Sequence, residues 1–361
     1  MRARKLQAPV HAAARFSSGS LLLAAALGAG CSTAIAGGEH DAGHEDARAF
    51  DLDGGAPDAA RVDASMADAA TTPDGGMRCP VTLPSPLVFG LDHGAFPSDG
   101  HPDVAVHVPA GYDACAPQGA VVYFHGFHNC VENAIGSTPT ECTPGAGART
   151  AHHLVEQLDA AHVNAMLIAV EVAYDQASGA TGRLSEDGGL RALLDELFDA
   201  HLSAMLGRPT TIDDLDTIVL ASHSGGYTAV ARGLDRGQLP SVREVMLFDS
   251  LYGEIPVYEA FTVDQLARFD PAGADALRFA IVYTDGGGTD ANSRALAGEI
   301  ESGLDTLGHP EWMLFDDTTA TLDASAFAHP IVIKHSMLSH DGVVTYYFER
   351  FVSAAPFAPL P

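Results

Sequence analysis

Ser224 stands at the centre of the pentapeptide Ser222-His223-Ser224-Gly225-Gly226. An apolar run, 217–222, leads into it and residues of helical character follow. A buried strand that stops here and resumes as a helix must turn very tightly. The positions two before and two after the central serine must then be small, and Ser222 and Gly226 fill them. Gly is usual where Ser222 stands. Ser222 cannot itself be the nucleophile of such a turn, because its own upstream position is Leu220. The turn would raise Ser224 to the carboxyl edge of a sheet, at a helix N-terminus, where the Gly225 N–H can face an oxyanion. Taken alone, the pentapeptide reads equally as a Gly-rich turn without chemistry.

Other residues supply what a serine nucleophile requires. Upstream, "VVYFHGF" (121–127) ends a strand in a His-Gly turn. Gly126 lets the backbone approach closely, and the Phe127 N–H becomes a second oxyanion donor. Near the end of the chain, "SMLSHDGVV" puts His340 in a loop before a terminal helix. His335 is the rival, but it falls within a strand run that would fix its side chain. Between serine and histidine, Asp249 ends "REVMLFD", and Asp285, with Asp290 behind it, follows "LRFAIVYT". A hydroxyl, an imidazole and a carboxylate together can run acyl transfer: the imidazole takes the proton and the carboxylate orients the ring. Asp249 is placed ahead of Asp285. Its strand would lie beside the serine strand, and Leu251 and Tyr252 could pack around it, whereas Asp285 lies in a Gly-rich loop and reads also as a plain turn residue.

The elements that must position these residues follow from hydrophobic patterning. Strands are predicted at 104–109, 120–126, 164–172, 217–222, 243–249, 277–284 and 330–336, with 311–317 as a further candidate. Helices are predicted at 150–162, 190–206, 226–233, 293–304 and 343–352. Short, continuously apolar strands alternating with helices imply an α/β fold: an open, doubly wound, mostly parallel sheet of about eight strands covered on both faces. The segment from Ser250 to Ala276 has room for a loop and one helix, so no large lid domain is expected.

With "VVYFHGF", "SHSGG", a strand-terminal Asp and a late His in that order, residues 100–352 resemble the α/β-hydrolase superfamily. The resemblance implies Ser224 as nucleophile, His340 as base, Asp249 or alternatively Asp285 as acid, and Phe127 and Gly225 as the oxyanion hole. Carboxylic ester hydrolysis through an acyl-enzyme is the activity it favours. An exported peptidase or amidase with the same triad is the alternative, and a non-catalytic binding protein of the same fold is a third reading. The substrate would be a small or polymeric ester or amide. No cofactor or metal is expected, and His152 and His153 read as ordinary surface or helix residues.

The rest of the chain sets the context. Of 361 residues, 47 are Asp or Glu and 19 are Lys or Arg, a formal net charge of -28 that argues against a nucleic-acid partner. Residues 1–31 read as a signal peptide, with Arg2, Arg4 and Lys5 before the apolar stretch 21–30. "LGAGC" resembles a lipobox and makes Cys31 a lipidation site, although Leu27 lies one place too far upstream; cleavage after residue 36 is the alternative. The lipoprotein reading is favoured because residues 32–78 are an Ala/Asp/Gly-rich acidic linker, expected to be disordered and suited to a tether. Membrane association is thus expected only through an N-terminal lipid, with secretion as the alternative. Residues 79–361 form the catalytic domain, whose Cys79, Cys115, Cys130 and Cys142 suggest disulfides, with Cys79–Cys115 and Cys130–Cys142 the expected pairs.

Overall fold

The computed structural model describes residues 70–71, 77–83, 86–97, 100–173, 175, 180–285, 288–318 and 321–360. The expected signal segment, Cys31, the alternative cleavage point and most of the expected linker lie outside the described residues. Within the stretch read as linker, Ala70–Thr71 and Met77–Arg78 pair as a short antiparallel ladder.

Nine strands build the main sheet: β1 (Leu87–Phe89), β2 (Val104–His107), β3 (Gln118–Phe124), β4 (Ala165–Val170), β5 (Leu215–His223), β6 (Val242–Phe248), β7 (Arg278–Thr284), β8 (Met313–Asp316) and β9 (Ile331–Ser336). Their order across the sheet is β8-β9-β7-β6-β5-β3-β4-β2-β1. All neighbours are parallel except those of β2, which runs against both β1 and β4. This is the α/β-hydrolase fold. The sheet exceeds the expected eight or so strands by β1, three residues long and too short to carry a period. The ambiguous segment near 311–317 becomes the edge strand β8.

The central strands are apolar on both sides because both sides are covered. Along β3, Val122 and Phe124 enter one core while Val121 and Tyr123 enter the other. The first core takes its helical cover from α3 (Gly189–Glu196), α4 (Tyr227–Arg236), α5 (Ile255–Phe261) and α6 (Thr289–Leu307). The second is covered by α1 (Val131–Ile135), α2 (Leu154–Ala161) and α7 (Gly342–Ala354). Helix α3 runs on through a π-helical stretch, Leu197–Leu202, and Leu197, Phe198, Leu202 and Leu206 continue its apolar stripe into the first core.

The segment after β6 carries α5 and a 3₁₀ stretch, Val263–Phe269, both packed onto the first core. Tyr258 of α5 is buried and its hydroxyl donates to Tyr227 O at 2.7 Å. The segment therefore supports α4 from below instead of forming a lid, as its length suggests. No helix among the described residues is long and apolar enough to cross a membrane.

Both expected cysteine pairs form, Cys79–Cys115 and Cys130–Cys142. The second closes a loop with a sequence separation of 12. On chain-entropy grounds a loop of that size stabilises the fold by about 3 kcal/mol. Peptide mapping without reduction should recover both linked pairs. Replacing Cys130 and Cys142 together by Ser should lower the unfolding free energy, measured in denaturant, by about 2–3 kcal/mol.

Candidate active site

The turn at Ser224 is as tight as its sequence demands. Strand β5 ends at His223, Ser224–Gly226 form a single 3₁₀ turn, and α4 begins at Tyr227. Ser224 has φ 51°, in the left-handed region that a non-glycine residue enters only when its surroundings hold it there. Those surroundings are crowded. A Cβ on Gly226 would lie 2.4 Å from Phe124 O and 2.8 Å from His125 O, so the start of α4 presses on the end of β3. A Cβ on Gly126 would lie 2.6 Å from the Ser224 Cβ. Two backbones meet here with no room for a side chain between them.

Ser222 explains its own departure from glycine. It is fully buried, and its Oγ is 2.8 Å from Ser250 Oγ. The Ser250 hydroxyl donates to Ser224 O at 2.8 Å. One hydroxyl beneath the turn thus links β5, the start of the β6 loop and the strained serine. Nothing in the sequence singles out Ser250 except its place directly after Asp249.

Asp249 ends β6 beside β5, also with positive φ, at 44°. Its Oδ2 is 2.7 Å from His340 Nδ1, and its side chain is 1% exposed against 40% for His340. Thr284 at the end of β7 gives the carboxylate an N–H at 3.1 Å and a hydroxyl at 2.5 Å. The Thr289 hydroxyl, in the first turn of α6, donates to Oδ1. Burial pushes the Asp249 pKa up, but the hydrogen bonds from His340, Thr284 and Thr289 outweigh it and bring it down to about 2. The alternative pair meets elsewhere: Asp285 Oδ1 is 2.9 Å from Nε2 of His335, whose ring is fixed in β9.

Tyr252 lines the same corner of the site as Asp249 and His340. Tyr252 also sets its ring edge-on to His340, with centroids 6.4 Å apart. Burial first, then the nearby Asp249 charge, raises its pKa to about 12, so the phenol stays protonated.

The opposite wall is the β3–α1 loop. His125 is buried; its Nδ1 is 2.9 Å from Gly126 O and its Nε2 2.9 Å from Glu171 Oε1. Burial disfavours the His125 cation, yet Glu171 and the Gly126 carbonyl raise its pKa overall. Glu171 also accepts the Val131 N–H at 2.9 Å, which anchors α1. The loop bearing Phe127 is therefore held at both ends. Among the described residues, neither the Phe127 nor the Gly225 N–H enters a loop or turn hydrogen bond.

One expectation requires correction. His152 is not a surface or helix residue. It is fully buried ahead of α2, with Nδ1 2.8 Å from the Tyr123 hydroxyl and Nε2 3.2 Å from Asn129 Nδ2. Those two polar partners, one on β3 and one in the loop after it, draw the ring inward, and helical periodicity cannot register them. His153 is half-buried and precedes α2 in the left-handed region, at φ 56°. His152, His223 and Asp341 bring ligand-type atoms within 4.8 Å of one another, but both His152 nitrogens are already engaged. The other two clusters of metal-ligand type include disulfide cysteines.

The carboxylate makes a pH prediction. With its pKa lowered to about 2, Asp249 contributes stability that is complete above its ordinary value and lost as pH falls through 2. The shift corresponds to about 2 kcal/mol. The difference in unfolding free energy between the wild type and Asp249→Asn should shrink by that amount between pH 5 and pH 2, followed by urea denaturation.

No family model and no curated protein matches the sequence. Among solved structures, the chain is similar to a feruloyl esterase module from Clostridium thermocellum, with 11% identity and a TM-score of 0.45 over 70% of this chain and 82% of that one. It is similar to a siderophore hydrolase from Aspergillus nidulans, with 12% identity and a TM-score of 0.40 over 77% and 98%. A poly(3-hydroxybutyrate) depolymerase from Bordetella parapertussis gives 14% identity and 0.34 over 68% and 81%. Identities this low leave the chemistry to be read from the chain's own residues.

Proposed function

We propose that the protein is a serine hydrolase that cleaves carboxylic esters through an acyl-enzyme. The observation that carries the reading is the 2.7 Å contact between the buried Asp249 and His340, beside a serine held at φ 51° on a strand-to-helix turn. Ordinary packing does not require a strained serine, an exposed imidazole and a buried carboxylate with three further donors to meet at one sheet edge.

In this reading the Ser224 hydroxyl gives up its proton to His340 Nε2 as Oγ attacks the ester carbonyl. The carbonyl becomes an oxyanion, which the Phe127 and Gly225 N–H groups receive. Asp249 fixes the ring with Nδ1–H toward itself and stabilises the imidazolium. His340 then protonates the departing alcohol. Water, deprotonated by His340, attacks the acyl-enzyme, and Ser224 leaves with the returned proton.

Two disulfides support export, since such bonds persist in oxidising compartments. A lipid on Cys31 would add a membrane anchor, and the acidic chain has no feature suited to nucleic acid.

Ser224→Ala should abolish both hydrolysis of an activated aryl ester and labelling by a fluorophosphonate probe, with the fold retained by circular dichroism. Ser222→Ala should keep substantial activity, because it removes only the hydroxyl below the turn. Asp249→Asn should lower turnover by roughly 10⁴-fold, as a wrongly held imidazole does. Asp285→Asn should stay within a few-fold of the wild type. The reverse order for either pair would sink the assignment.

A further inference from the structure

Arg149 differs from every other arginine of the described residues. Each of the others donates a side-chain hydrogen bond, most of them to a carboxylate or a backbone carbonyl. Arg149 has neither ion pair nor side-chain hydrogen bond among the described residues, and its Nε is buried without a partner. The chain has 47 acidic residues against 19 Lys and Arg, so counter-charges are abundant. A guanidinium left unpaired in such a protein points to a partner that is not part of the chain.

Its location narrows that partner. Arg149 lines a cavity of about 120 Å³ together with Phe127, His223, Ser224, His340 and Asp341. The cavity opens directly beside the nucleophile and the Phe127 oxyanion donor. A second orphan belongs to the same lining, since His223 Nδ1 is also buried without a partner. Its Nε2 is taken up by His340 O at 3.0 Å.

Arg149 is also fixed in place. Its N–H donates to Thr140 O at 3.1 Å, and the Thr140 N–H donates to Asn133 Oδ1 of α1 at 2.8 Å. Between them, Cys142 is tied to Cys130 at the start of α1. The loop is braced from both sides, and it extends from the same α1 that anchors the Phe127 turn.

We propose that this cavity is a subsite for a compact anionic group, a carboxylate first, carried by the ester substrate a few bonds from the scissile carbonyl, with Arg149 as its ligand. The proposal rests on the serine-hydrolase reading for the word substrate, but not for the anion. Guanidinium presents paired N–H groups in the geometry of a carboxylate and binds it more strongly than a neutral acceptor. At about 120 Å³ the cavity has room for a carboxylate on a short chain. Asp341 shares the lining, with its carboxylate 3.8 Å from His223 Nε2. It opposes a second negative charge, so a cationic substrate is the necessary control.

The experiment compares aryl esters of equal chain length ending in a carboxylate (aryl hydrogen glutarate), a methyl group or an ammonium. Wild-type protein should favour the carboxylate over the neutral ester in kcat/KM by about 10- to 100-fold. Arg149→Gln should bring that ratio close to one, and Arg149→Lys should restore part of it. A preference for the neutral or ammonium ester, or a ratio unchanged in Arg149→Gln, overturns the subsite. Binding of free glutarate to the full chain, measured by calorimetry with and without Arg149→Gln, separates the two readings. Arg149-dependent binding without turnover of any ester keeps the anion site and removes the hydrolase. Turnover without Arg149-dependent binding or selectivity keeps the hydrolase and removes the site.

Discussion

The candidate site depends on the near-contact of two backbones at the carboxyl edge of the sheet. The end of β3 and the turn after β5 approach so closely that a methyl group on Gly126 or Gly226 would lie under 3 Å from its neighbour. Close approach sets Gly126 against Ser224 and Gly226 against the end of β3. It also forces Ser224 into a conformation that costs on the order of 1–3 kcal/mol. The parallel pairing of β3 with β5 and the hydroxyl path from Ser222 through Ser250 to Ser224 O oppose that strain. The turn is thus held from the sheet and from below, which leaves the serine side chain free on its upper side.

The same logic governs Asp249. A carboxylate that is 1% exposed would ordinarily take up a proton to escape its low-dielectric site. Here three neighbouring elements supply donors: the end of β7 and the first turn of α6 through Thr284 and Thr289, and the last loop through His340. The charge survives, and it holds an imidazole that would otherwise rotate freely in a largely exposed loop. Positive φ at Asp249 resembles that at Ser224. Adjacent parallel strands thus each lead into a residue of positive φ at the same sheet edge.

What was legible in the sequence was what sterics or strand order dictates locally. Small residues flanking Ser224 announce the turn because no other residues fit. The sequential neighbours β5 and β6 lie side by side, which brings Asp249 within reach of His340, while Asp285 meets His335 instead. The two cysteine pairs follow from spacing and compartment. What was not legible depends on partners far apart in the chain. Thr284 and Thr289 lie 35 and 40 residues from the carboxylate they support, and isolated hydroxyls carry no pattern. His152 is buried by Tyr123 and Asn129, 29 and 23 residues before it. Strand β1 is too short for any period. That Arg149 lacks a partner is a fact about all its neighbours at once, which no sequence window contains.

The β3–α1 loop and the loop after α1 have little regular structure, yet one carries Phe127 and the other Arg149. Loops of this kind normally move, and a site built on them loses geometry. Here the buried His125–Glu171 pair fixes the start, the Asn129 and Asn133 side chains bridge to nearby backbone groups, and Cys130–Cys142 closes the rest. The disulfide therefore does more than lower the entropy of the unfolded chain. It joins the start of α1 to the loop that carries Arg149, so the segments bearing Phe127 and Arg149 are tied together beside the small cavity. A protein that places its binding groups on loops needs such a brace in proportion to how little helix or strand lies beneath them, and in this fold that shortage is concentrated between Gly126 and Thr150.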